Sequence, residues 1–179
     1  MYIFIILVGL ILIVISIYNK LIRSKNHVEE ANADINVQLK RRFDLIPNLI
    51  ETVKGYMNHE KEVLEKITEL RSQALSTSDF KESDKLNQEI SKNISSILVS
   101  FENYPDLKAN QNFLSLQSEL VDTENKIQSA RRFYNNVTKD YNILIESIPT
   151  NIFAKLFNYQ KKPLLEISLE EAKNINVKF

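Results

Sequence analysis

The chain has 179 residues with only two glycines and four prolines, too few turn residues for a sandwich or an α/β sheet of this size, so an all-helical fold is expected. Lysine plus arginine equals aspartate plus glutamate, 23 each, which argues against a nucleic-acid binder. Cysteine is absent, which excludes disulfides, thiol catalysis and Cys-ligated zinc.

The chain opens with MYIFIILVGLILIVISIY, eighteen residues without a charged side chain. As a helix they span about 27 Å, close to a hydrocarbon core of roughly 30 Å. No basic leader or Ala-x-Ala site suggests a cleaved signal peptide. A buried core helix is the bland reading; a membrane anchor is the better one, with residues 2–18 in the bilayer and Tyr2 and Tyr18 at its two interfaces. Lys20, Arg23 and Lys25 follow at once, so the positive-inside rule puts the N-terminus outside a bacterial cell membrane and the rest in the cytoplasm, as a single-pass protein.

Next comes a seam of alternating threes and fours: Leu39, Phe43, Ile46, Ile50, Val53, Met57, Glu60, Leu64, Ile67, Arg71, Ala74, extending back through Ile35, Asn32 and Val28. It predicts one helix over about 27–75, roughly 70 Å long. Pro47 lies inside it and frees the carbonyl of Phe43, so a kink is expected there rather than a reversal. Asp79 with Glu82 predicts the start of a second helix whose buried side carries Leu86, Ile90, Ile94, Ile97 or Leu98, and Phe101. Tyr104-Pro105 ends it. A third helix starts between Asp106 and Gln111, follows the seam Phe113, Leu116, Leu120, Thr123, Ile127, Ala130, Tyr134, Val137, Tyr141, Leu144, Ile148, and stops at Pro149. Asn151 is a candidate cap for a short helix with Ile152, Phe153, Leu156 and Phe157, and Ser168 with Glu171 resembles another capping box.

The expected organisation is an anchor at 1–19, a long-helix bundle at 20–149 and a short helical segment with a docked tail at 150–179. Short connections imply antiparallel neighbours, and the seven-residue repeat implies left-handed, coiled-coil-like packing.

Catalytic motifs are lacking. Four residues after His59, where a zincin would place its second histidine, stands Val63. Neither histidine belongs to a Glu-x-x-His pair, and no glycine-rich phosphate loop exists. No catalytic residue, metal ligand or cofactor site is therefore assigned. The polar groups nominated for binding a membrane or cytoplasmic protein are Arg41, Arg42, Asp44, Glu124, Asn125, Arg131 and Arg132. Against this stands the plainer reading that these charges salt-bridge between helices or face solvent. Tyr134-Asn135 recurs seven residues later as Tyr141-Asn142, either as packed rings with solvated amides or as a polar strip for a partner.

Four stretches, INVQLKRRFDLIPNLI from Ile35, VKGYMNHE from Val53, YPDLKANQNF from Tyr104 and TENKIQSARRFYN from Thr123, resemble the signatures of the bacterial LemA family. The resemblance implies an N-terminal membrane helix and a tethered bundle of long antiparallel helices. It implies no mechanism, and PLLEI at Pro163–Ile167 departs from the more aromatic segment expected there. Two functions follow as expectations: a membrane-anchored scaffold or adaptor without catalysis, or a small-molecule sensor or enzyme using the polar strip.

Overall fold

The computed structural model describes residues 1–56 and 60–166. Among these the chain is helical without strands: α1 (Tyr2–Val53), α2 (Lys61–Ser76), α3 (Phe80–Ser100), a 3-10 turn (Phe101–Asn103), α4 (Pro105–Lys108), α5 (Gln111–Glu146) and α6 (Thr150–Leu156). His59 and the proposed Ser168–Glu171 box lie outside the described residues. The chain forms two compact units, one of Met1–Ile35 with Ser129–Leu164, the other of Asn36–Gln128 with Leu165 and Glu166 among the described residues.

In the second unit the expected single helix over 27–75 proves to be two. α1 runs through Pro47 to Val53, and α2 starts at Lys61. The chain reverses between them: Arg71 Nε donates to the Phe43 carbonyl at 2.8 Å, whereas 28 collinear residues would separate the pair by about 42 Å. The carbonyl that Arg71 satisfies is the one Pro47 deprives of its helical partner. The apolar phase survives the reversal, which is why periodicity alone reads straight through it.

α3 begins as expected at Asp79, whose carboxylate accepts from the Glu82 N–H at 2.8 Å. Glu82 does not close the box but takes the Thr77 hydroxyl instead. The Phe101 and Phe113 rings meet at 5.2 Å, while Ser91 Oγ lies 3.0 Å from Glu124 Oε1. Ten residues back along α3 thus match eleven forward along α5, so the two helices are antiparallel. Phe43, Ile46, Leu49 and Val53 pack with Leu64, Ile67, Leu70, Ile90, Ile94, Ile97, Phe101, Phe113, Leu116 and Leu120 in one core. The inward face is turned slightly from the expected seam: Leu49 and Leu70 are buried, while Ile50 and Arg71 sit at its margin.

In the first unit, none of residues 1–20 is buried, and their helix is the one long and apolar enough to cross a membrane among the described residues. Beyond them Leu21, Val28, Ala31 and Ile35 turn inward, as do Tyr134, Thr138, Tyr141 and Ile145 of α5. Ala31 rather than Asn32 continues the seam. Ile148, expected at its end, is 84% exposed because α5 has already stopped at Glu146. α6 is not capped by Asn151. Its cap position falls two residues earlier, at Pro149, and it begins at Thr150, whose hydroxyl donates back to the carbonyls of Ser147, at 2.8 Å, and Leu144. Its C-terminus is a Schellman turn: Asn158 adopts φ 56°, Tyr159 N–H reaches Ala154 O at 2.8 Å and Asn158 N–H reaches Lys155 O at 3.2 Å.

Candidate functional site

Two polar clusters stand out, one in each unit. In the second unit Arg42 is 1% exposed, although it directly precedes the apolar Phe43 on α1. Its Nη1 donates to Glu124 Oε1 on α5 and to Ser91 Oγ on α3, each at 2.7 Å, and its Nη2 donates to Asn87 Oδ1 on α3. Asn87 Nδ2 in turn donates to the Ser83 carbonyl at 2.8 Å. Glu124 is only 17% exposed, and its Oε2 is buried without a hydrogen-bond partner. A buried charge needs a partner and further hydrogen bonds, and this set supplies both from three helices. The arrangement ties α1, α3 and α5 into one register.

Outside this knot lies a row of ions that are partly or fully exposed. Arg41 Nη1 meets Asp122 Oδ2 at 3.0 Å, and Lys126 meets the same oxygen at 2.9 Å. Lys126 first, and then Arg41, holds the Asp122 carboxyl below the ordinary carboxylate range against the opposing effect of desolvation. Lys40 and Asp44 pair at 3.1 Å along α1. At another point of this unit Tyr104 donates to Glu60 Oε2 at 2.6 Å. That hydrogen bond first, then desolvation and the negative charge of Glu60, raises the tyrosine pKa.

The first unit contains a strap. Residues 159–164 run as irregular chain along α5 and are held by its side chains. Tyr141 OH donates to Gln160 O and Tyr134 OH to Pro163 O, each at 2.9 Å. Asn142 grips one residue twice: its Nδ2 donates to Lys162 O at 2.9 Å and its Oδ1 accepts from Lys162 N–H at 3.0 Å. Burial pushes the pKa of both tyrosines up, and Tyr159 and Glu29 add to the rise at Tyr141. The heptad-spaced strip noticed in the sequence therefore reads an extended backbone, and the backbone it holds is the chain's own.

The LemA family model matches residues 31–179. The chain belongs to the LemA family. It is also 31% identical over 159 residues to Protein LemA of Metamycoplasma hominis, covering 88% of this chain and 70% of that protein. Within the LemA-family chain, Arg42 lies in the first signature stretch and Glu124 in the fourth, and the two meet inside the bundle. Arg41 and Asp44 stand outside it, as does the exposed Asn125. In the other unit, Arg132 donates to Ser129 at 3.1 Å, and Arg131 is half-buried on α5. Asn87, Ser91 and the strap that Asn142 holds were not foreseen. Asn87 had a signal, since it continues the spacing of Ile90, Ile94, Ile97 and Phe101 in threes and fours. Among the described residues no group of three acidic, histidine or cysteine side chains is placed to hold a metal ion.

Proposed function

We propose that this LemA-family chain is a membrane-anchored adaptor, a helical bundle that binds a protein partner and performs no catalysis. The observation that carries this reading is α1 itself. One helix starts with apolar side chains exposed around its circumference, among them Ile3 at 81%, Phe4 at 73% and Ile6 at 69%, and continues to Val53 in the bundle core. Such a surface suits lipid and not water. Lys20, Arg23 and Lys25 favour a cytoplasmic bundle with Met1 outside. The partner face in the second unit is the polar row of Arg41, Asp44, Asp122 and Asn125. Arg131 and Arg132 form a separate polar patch on α5. Arg42 and Glu124 are architectural in this reading and position the face from within. The seam repeat supports left-handed packing of the helices.

Affinity capture from solubilised membranes tests the proposal. The intact chain should retain a discrete protein that R41E loses, with helix content and thermal stability unchanged, because an exposed ion pair contributes only ~0–1 kcal/mol. The competing sensor or enzyme reading predicts a thermal shift with one class of metabolite and no retained protein.

A further inference from the structure

We propose that α6 lies in the membrane–water interface with one face in lipid, as a second foot beside the anchor. This inference rests on the reading of residues 2–18 as membrane-embedded. On α6 Ile152 and Leu156, four residues apart, are 63% and 73% exposed, and Ile148 just before the helix is 84% exposed. Thr150 and Ala154 on the opposite side are 7% and 2% exposed, so the helix is docked by its small residues and shows its large ones outward. This is the reverse of what water favours. The face is held in place: the Thr150 hydroxyl closes one end and the Schellman turn at Asn158 the other.

Its position identifies the occupant. The Phe157 ring packs edge-on against Tyr18 at 5.3 Å, and Tyr18 closes the apolar run two residues before Lys20. The C-terminal end of α6 is thus at the level along α1 where lipid gives way to headgroups. The charges agree. Lys155 is exposed on α6, and an open cleft of about 560 Å³ just past the helix's C-terminus is lined by Tyr18, Phe157, Lys25, Lys161 and Lys162. Lys161 pairs with Glu146 and Lys25 with Glu29, but both pairs are exposed and leave the lysines within reach of phosphate. Exposed apolar side chains flanked by cations make the profile of an interfacial helix on an anionic bilayer. Seven residues alone would bind a membrane weakly. Attachment to the anchor removes most of that cost, because the face is already at the surface it must enter.

The chain contains no tryptophan, so single indoles can report their surroundings. The full chain would be reconstituted in vesicles of phosphatidylglycerol and phosphatidylcholine with brominated acyl chains. I152W and L156W place the probe on the α6 face, I11W in the anchor and V99W on a 72% exposed position of α3. Bromolipid should quench I152W and L156W severalfold more strongly than V99W, with blue-shifted emission and protection from aqueous acrylamide. Acrylamide quenching of I152W and L156W equal to that of V99W overturns the proposal. So does a blue shift without bromolipid quenching, which would assign the face to protein. If I11W is quenched by bromolipid and I152W is not, the interfacial helix alone fails; if I11W itself escapes quenching, the anchor and this inference fail together.

Discussion

Replacing Glu124 with alanine isolates the buried knot. The substitution removes the carboxylate that faces a guanidinium only 1% exposed, while the neutral oxygens of Ser91 and Asn87 stay in place. Breaking a buried pair by deleting one partner costs ~3–5 kcal/mol. The 17% exposure of Glu124 admits some water, so the lower end, about 3 kcal/mol, is expected. Against a domain stability of ~5–15 kcal/mol this is a large fraction. Removing both charges together, as R42M/E124L, should cost less than E124A alone, because no unpaired ion remains in the core, with the Asn87 oxygen that loses its donor setting the residual cost. The assay is urea unfolding of the full chain in mild detergent, with the four corners of the cycle compared at a common slope. A loss below about 1 kcal/mol in E124A, the range of an exposed pair, would refute the argument and show that Arg42 reaches solvent.

Pro47 and Arg71 should be coupled: R71A alone is expected to cost about 1.5–3 kcal/mol by abandoning the Phe43 carbonyl, but less in a P47A background, where a backbone N–H becomes available to it. Circular dichroism should show P47A as helical as the parent, and additive losses in the four-variant comparison would show that Arg71 does not serve that carbonyl. For the strap, N142A removes both bonds to Lys162 and should speed amide exchange at Lys162, with exchange in the second unit unchanged as the control. Tyr134 and Tyr141 have raised pKa values, so the unfolded chain loses these protons first, near pH ~10. Their contribution is whole below that pH and falls as pH rises through the folded values. Denaturation midpoints should therefore decline at alkaline pH less steeply in Y134F/Y141F than in the parent, and identical slopes would contradict this.

Helix content, the anchor-like run and most inward positions were legible because each is a local periodic signal. Phe43, Ile46, Val53, Ile90, Ile94, Phe113 and Leu120 fall on the expected seams and in the core. The reversal after Val53 was not legible, since spacings of three and four continue through Met57 and Glu60 whether the chain goes straight or turns back. Gly55, in the turn after Val53, is one of only two glycines and was a more telling mark than Pro47, whose orphaned carbonyl finds Arg71 from α2. Arg42 was visible as a cation at the seam margin, but its burial depends on Asn87, Ser91 and Glu124, which lie 45, 49 and 82 residues away. The strap depends likewise on pairings 19–29 residues apart, invisible to any short window.

The central claim is that a membrane-held bundle offers the Arg41 face to another protein, and photo-cross-linking in living cells tests it most directly. A photoreactive side chain at position 41 should yield one discrete protein adduct in the membrane fraction, and the same group at position 99 should yield none. An absence of adducts at position 41, or equal and diffuse labelling at both positions, would contradict the account.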